Sequence, residues 1–269
     1  MTRITEADSL YRHLEKMSVA ELTANINRED KKVALAIEEA LPQINAVITK
    51  IVAQLKDGGR LFYLGAGSGG RLSVLDAIEL PTTYGIPKGV VNVILAGGVD
   101  HLIEAKEEKE DDTEAGWSAL ESHHVSANDF VLGISASGTT PFVLESLKIC
   151  QANGIPTGCL VSNPESPIAR HADFPIEVIT GPEFITGSTR MKSGTAQKMI
   201  FDMISTTAMV QLGRVEDNKM VNVLLINDKI TDRAVKMLME RSGITEYDKA
   251  KQLLLDNGSV RKALDQLGK

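Results

Sequence analysis

The sequence predicts an α/β fold, a three-layer αβα sandwich around a mostly parallel five-stranded sheet. Three observations carry this. Five short runs, "RLFYLGAG", "GVVNVILAGG", "DFVLGISAS", "PTGCLVSN" and "FPIEVIT", are nearly continuous in apolar residues, as strands covered on both faces are. Helical patterns over 70–79, 100–122 and 140–153 separate most of them. The chain has 269 residues, enough for one sizeable α/β domain with extra elements.

Taken in order, residues 18–57 read as helix. "EDKKVALAIEEALPQINAVITKIVAQLKDGG" repeats apolar residues at three- and four-residue spacing, and Gly58-Gly59 is the stop. Pro42 predicts a break or kink, because it lacks an N–H and crowds the preceding turn. After the five strands, "RMKSGTAQKMIFDMISTTAMVQL" (190–212) reads as a long, mostly apolar helix whose methionines suit a core or a subunit contact. Beyond Arg214 three short amphipathic patterns follow, divided by glycine stops. The expected organisation is an N-terminal helical segment (1–57), a sheet domain (58–223) and a small helical tail (224–269).

Composition excludes several classes. A net charge of −7 without a long basic run argues against a nucleic-acid surface. No apolar run approaches the roughly 20 residues of a membrane helix, and the polar start "MTRITEADSLYRHLEKMS" is not a signal peptide. Cys150 and Cys159 form no CxxC pair and read as reduced core residues of a cytoplasmic protein. His123, His124 and His171 lack ligand-like company and read as surface residues, so no metal site is expected.

Ligands of a parallel sheet bind beyond the carboxyl ends of its strands. Three polar loops fall there: "GAGSGG" (65–70), "SASGTTP" (135–141) and "TGSTRMKSG" (186–194). Glycines allow close backbone approach, and helix N-termini offer free N–H groups and a positive dipole end. Gly67, Ser68 and Gly69 in the first loop, and Ser135, Ser137, Gly138, Thr139 and Thr140 in the second, are therefore candidate anion-binding residues. Hydroxyl-rich loops without a P-loop lysine suit a sugar phosphate better than a nucleoside triphosphate. The GxGxxG spacing also occurs in dinucleotide sites, but those want an acid about 20 residues further on. "YGIPKGVVNVILAGG" has none. For either loop alone, the plain alternative is a tight turn that binds nothing.

The loops resemble those of the sugar isomerase (SIS) domain. "GPEFITGSTRMKSGTAQK" (181–198) is similar to a signature shared by N-acetylmuramic acid 6-phosphate etherases and glucokinase regulatory proteins. "NREDKKVALAIEEALPQI", "GRLSVLDAIELPTTYG", "EDD" (110–112) and "NKMVNVLLINDKITDRAV" also resemble etherase segments, so the likeness covers nearly the whole chain. One SIS domain with a short tail fits the etherases rather than the larger, two-domain regulators. The resemblance implies cleavage of the D-lactyl ether at C3 of N-acetylmuramic acid 6-phosphate, giving N-acetylglucosamine 6-phosphate and D-lactate. It further implies peptidoglycan recycling, no cofactor, and a cytoplasmic homodimer with sites near the subunit interface. A non-catalytic sugar-phosphate regulator and a SIS-type isomerase are the alternatives.

The chemistry asks for one ionised base, to take the C2 proton of the open-chain sugar, and one protonated acid for the departing alkoxide. The resemblance places the acid on Glu79 and the base on Glu110. Glu79 falls near the predicted end of the helix after Gly70, where the negative dipole end and partial burial would raise its pKa. Glu110 lies in "EAKEEKEDDTE", which by pattern alone reads as a solvated face or as a helix start capped by Asp111 or Asp112. Ser188, Arg190 and Lys192 complete the candidate set, the two cations as partners for carboxylate or phosphate. The chain departs from the family in three places. Ser68-Gly69 stands for a Thr-Ser pair, Thr139 for an arginine, and Leu80-Pro81 for a Cys-Pro pair.

Overall fold

The computed structural model describes residues 3–104 and 106–268; residues 1, 2, 105 and 269, which the expected segments include, lie outside the described residues. The chain divides into two compact units. The first holds the residues up to Ala77 and Val90–Ile204; the second holds Ile78–Gly89 and the residues from Ser205 onward.

The first unit contains the expected sheet. Strands β1 (Leu61–Gly65), β2 (Val91–Leu95), β3 (Phe130–Ile134), β4 (Thr157–Val161) and β5 (Phe174–Glu177) lie in the order β2-β1-β3-β4-β5. Every pairing is parallel. Alternation along the strands divides the core between two faces. Phe62, Leu64, Val131, Cys159 and Val161 point into a cluster with Phe142, Val143, Leu147 and Cys150 of helix α4 (Pro141–Ala152) and Leu120 of α3 (Ala115–Ser122). From the other face, Tyr63 meets Phe201 with ring centroids 5.3 Å apart. Pro175 is tolerated because β5 is an edge strand. Burial pushes the Cys150 and Cys159 thiols up to about 12.

Helix α1 (Val19–Lys56) begins with a capping box between Ser18 and Glu21. It buries Val33, Ile37, Ala40, Ile44, Val47 and Ile51, a four-three repeat that makes one long stripe, and packs along β5 and β3. The helix runs through Pro42 without the expected break. Pro42 and Glu38, four residues earlier, are both exposed, so water can take up the carbonyl that proline leaves without a donor. The helix expected over 100–122 is also different. Two 3₁₀ turns (Val99–His101 and Glu107–Asp111) precede α3. The acidic run repels itself along a helix, and the Asp112 carboxylate accepts the N–H groups of Glu114 and Ala115 at 3.1 and 3.0 Å, starting a new helix there.

Helix α2 (Gly67–Tyr84) is longer than the 70–79 expected and carries Pro81. Its last part belongs to the second unit. There Leu224 N–H donates to the Thr82 carbonyl at 3.3 Å and Arg214 to the Gly85 carbonyl at 3.2 Å. The tail helices α7 (Asp228–Ser242), α8 (Tyr247–Asn257) and α9 (Val260–Gln266) bury Val235, Leu238, Leu254, Val260 and Leu264 with Val221. A short hairpin, β6 (Val215–Glu216) and β7 (Lys219–Met220), had no signal in the sequence. A one-turn helix, α5 (Pro167–Arg170), lies between β4 and β5, and helix α6 (Lys192–Gln211) matches its pattern. Among the described residues, no helix is long and apolar enough to cross a membrane.

Candidate functional site

The ends of β1 and β3 and the loop before α6 surround a cavity of about 400 Å³ in the first unit. Gly67, Ser68, Gly69, Ser135, Ser137, Thr140, Ser188, Arg190 and Glu110 all line it. Nine candidates from four separated stretches of sequence are thus brought to one place. Glu6, Arg71, Glu107, Thr189 and Gln197 line it as well.

The first loop is shaped by close approach. Gly67 has φ +54°, and a Cβ there would stand 2.7 Å from Glu110 Oε1. The positive φ favours glycine, and the Glu110 carboxyl lies directly on it. A Cβ on Gly69 would come within 2.7 Å of Ile134 Cγ2 and 3.0 Å of Gln197 Oε1. The hydroxyl that the etherase pattern carries at this position thus has no room with Ile134 and Gln197 where they are.

The second loop is a closed network of hydroxyls. Ser135 Oγ lies 2.8 Å from Thr140 Oγ1 and 3.2 Å from Ser137 Oγ, and it accepts the Gly138 N–H at 3.1 Å. Thr139 Oγ1 donates to Ser137 Oγ at 3.1 Å, so it orders the loop from outside the cavity. Gly138, at φ +71°, packs against Ser166 and does not line the cavity either. Asn163, 4% exposed after β4, donates to the Ala136 and Ser137 carbonyls at 3.2 and 3.1 Å and to Thr5 Oγ1 at 2.9 Å. The N-terminal turn is thereby tied to the loop, and Glu6 follows directly.

Lys192 is placed differently from expectation. It is 2% exposed, and its ammonium lies 2.8 Å from Glu29 Oε2 in α1. It does not line the cavity. Burial would raise Glu29, but hydrogen bonds from Lys192, Lys32 and Tyr11 overcome it and hold the carboxyl at about 2. Glu183 accepts the N–H groups of Lys192 and Ser193, both at 2.9 Å, and so closes the start of α6. The lysine of "TRMKSG" fastens the third loop to α1 and leaves Arg190 and Arg71 as the cations lining the cavity.

Glu110 lies in the 3₁₀ turn Glu107–Asp111, half-buried and facing Gly67. Desolvation pushes its carboxyl up to about 7, and the hydrogen bond and charge of Glu107 add to this against the opposing Arg71. Arg71 Nη1 and Nη2 each lie 3.1 Å from Glu107 Oε1. Such a carboxyl can take and return a proton near neutral pH. Glu79 belongs to the second unit, where it lines a cavity of about 210 Å³ with Thr82, Met220, Ile230 and Arg233. Helix α2 continues five residues past it, the side chain is exposed, and Glu79 does not line the cavity that holds Glu110.

Arg71, Gln197, Asn163 and Glu6 were missed in the sequence. Two of them carried a signal: Arg71 directly follows the last loop glycine, and Gln197 is a polar residue about one turn into a mostly apolar helix. Among the described residues, no three His, Cys, Asp or Glu side chains cluster as a metal site requires.

Comparison with known proteins adds independent information. The family model of the glucokinase regulatory protein N-terminal SIS domain matches residues 43–151, and that of the SIS domain matches residues 116–206. Curated N-acetylmuramic acid 6-phosphate etherases are similar over almost the full length. That of Bacteroides fragilis (strain NCTC 9343) is 53% identical over 98% of this chain and 93% of its own. That of Bacteroides thetaiotaomicron is 53% identical over 98% and 95%. That of Porphyromonas gingivalis (strain ATCC 33277) is 52% identical over 98% and 96%. Among solved structures, the phosphoheptose isomerase of Francisella tularensis superposes with TM-score 0.54 at 15% identity, over 74% of this chain and 100% of that one. The phosphoheptose isomerase of Neisseria gonorrhoeae gives 0.54 at 13% identity, over 70% and 97%. At these identities the structures establish a shared fold and nothing more.

Proposed function

The chain belongs to the family of N-acetylmuramic acid 6-phosphate etherases, and from that premise we propose that it cleaves the D-lactyl ether of N-acetylmuramic acid 6-phosphate. The products are N-acetylglucosamine 6-phosphate and D-lactate. The observation that carries the reading is 53% identity to a curated etherase over 98% of the chain. The cavity is consistent with it, since hydroxyls on three loops stand beside one half-buried carboxyl held near neutral pH.

In the proposed reaction the sugar phosphate opens to its aldehyde, which acidifies the C2 proton. Glu110 takes that proton, the electron pair forms the C2–C3 double bond, and the C3–O bond breaks. The resemblance assigns the proton on the departing lactate oxygen to Glu79, which in this chain does not line the cavity that holds Glu110. Glu110 gives the C2 proton up to solvent, takes one from the water that adds at C3, and returns it to C2, while Glu79 regains its proton from solvent. A base whose pKa lies near the working pH gains most from this arrangement, since it is ionised in quantity yet still basic. Ser68, Ser135, Ser137, Thr140, Ser188 and Arg190 are assigned to the phosphate. Thr139, Gly138 and Lys192 act through the loops they hold.

We place the reaction in the cytoplasm, in peptidoglycan recycling, with a homodimer as the working form and each site near the subunit interface. Relation to the etherases supports these assignments. The experiment is direct: incubate the purified protein with N-acetylmuramic acid 6-phosphate and assay D-lactate. Folded protein that is thermally stabilised by the sugar phosphate but releases no lactate would be a sensor, the reading to which the regulatory-protein match points.

A further inference from the structure

Two cations line the cavity beside Glu110, and one of them is held loosely. The Arg71 guanidinium reaches Glu107 through two nitrogens that converge on a single oxygen, Oε1, each at 3.1 Å. A side-by-side pairing would engage both oxygens of a carboxylate and is the stronger geometry. Glu107 is 61% exposed and Arg71 32%, so the pair is open to water, where ion pairs contribute little. Lys192 cannot compete for a ligand, because it is buried on Glu29.

We infer that Arg71 receives the lactyl carboxylate of the substrate, with Glu107 occupying the guanidinium until that carboxylate displaces it. The inference rests on the etherase reading, whose substrate carries two anions. The phosphate, on C6, lies at the far end of the sugar from C2. The carboxylate hangs on a short arm from the C3 oxygen, next to the carbon from which Glu110 takes its proton. Arg71 is the lining cation whose charge acts on Glu110, whereas Arg190 lies in the loop before α6, with Ser188 and Thr189. A carboxylate seated on Arg71 therefore puts C3 and C2 over Glu110, and Arg71 separates muramic from glucosamine phosphates.

The test compares two ligands that differ only in the lactyl group. In Arg71→Met at pH 8.5, the KM for N-acetylmuramic acid 6-phosphate should rise about ten- to a hundredfold, the range lost with a charge-assisted pair. The Ki of N-acetylglucosamine 6-phosphate should stay within about twofold, because that sugar has no carboxylate for Arg71 to hold. Arg71→Lys should recover part of the loss, since it keeps the charge without the fork. A parallel rise in both constants would make Arg71 a phosphate ligand and overturn the inference, as would an unchanged KM. Should Arg71→Met fail to fold, Glu107→Gln tests the same idea from the other side. Freed from its competitor, Arg71 should bind the substrate more tightly at an unchanged Ki, and an unchanged or higher KM overturns it. Wild-type protein that releases no lactate would defeat the etherase reading instead. Calorimetric titration of the two sugar phosphates into wild type and Arg71→Met would then still decide the role of Arg71.

Discussion

The pH dependence of lactate release separates the two roles a glutamate can play in this site. Glu110 is held at about 7 instead of its usual 4.5. If it is the base, kcat/KM for N-acetylmuramic acid 6-phosphate should rise through that value. A group with pKa near 7 is ionised to roughly 9% at pH 6, 50% at pH 7 and 91% at pH 8. The rate should therefore increase about fivefold from pH 6 to pH 7 and a further ~1.8-fold to pH 8, where a carboxyl at 4.5 would show no change. Sign carries as much information as size, because an acid with the same pKa would give a falling limb. Glu107→Gln supplies the control. It removes a like charge and a hydrogen bond that both raise Glu110, so the limb should move to lower pH. The assay is initial lactate release across pH 5.5–8.5 at sub-saturating substrate. A flat profile, a falling limb, or a limb unmoved by Glu107→Gln would each refute Glu110 as a base tuned by burial and by Glu107.

Glu79→Gln should abolish lactate release while solvent deuterium still enters C2, read by NMR of the recovered sugar; joint loss of both in folded protein would count against a purely leaving-group role. Lys192→Met strips the main partner from a carboxylate that is 3% exposed, leaving only Lys32 and Tyr11. Breaking a buried pair costs about 3–5 kcal/mol, so the melting temperature should fall by roughly 6–12 °C, and a change under ~3 °C would show the pair to be neutral. Glu29 is lowered from 4.5 to about 2, so its share of stability is fully present above pH 4.5 and is lost as pH falls through 2. Wild type should accordingly lose more stability than Lys192→Met over that interval in acid denaturation. Gly69→Ser restores the family's hydroxyl but drives a Cβ to within 2.7 Å of Ile134 Cγ2, which should cost about 1–3 kcal/mol in urea unfolding. Wild-type stability in that variant would mean that Ile134 and Gln197 can move aside.

The sheet was legible because burial on both faces leaves a signal in each strand separately. Runs such as "FVLGI" need no partner to be recognised, and all five strands lie where their runs do. Helices bound by regular stripes, such as α1, α4 and the tail, were legible for the same reason. What failed depended on a neighbour or on solvent. Pro42 is harmless because its turn is exposed, and exposure is not written in "EEALPQI". The segment 100–122 breaks because the Asp112 carboxylate competes with the helix for N–H groups. The same limit applies within the site. Hydroxyls and glycines announce themselves by composition, but Lys192 looked like an anion ligand until α1 supplied Glu29, and Arg71 drew no reading because Glu107 and Glu110 reach it only in the fold.

That asymmetry follows from what the fold supplies. The parallel sheet whose strand ends carry the loops is a fold shared with phosphoheptose isomerase, and a fold common to different proteins cannot specify one chemistry. Specificity has to come from groups that the scaffold does not require. Gly67, at φ +54°, is such a position, since the Glu110 carboxyl lies 2.7 Å from where its Cβ would be. The acidic turn Glu107–Asp111 is another, because the sheet does not need it and it brings the Glu107 and Glu110 carboxyls to the cavity. Gly67→Ala therefore separates scaffold from chemistry. It should leave the sheet intact but push Glu110 off the loop and toward water, lowering its pKa and with it the acidic limb of the rate profile. An active variant whose limb stays near pH 7 would show that contact with Gly67 has no part in tuning the base.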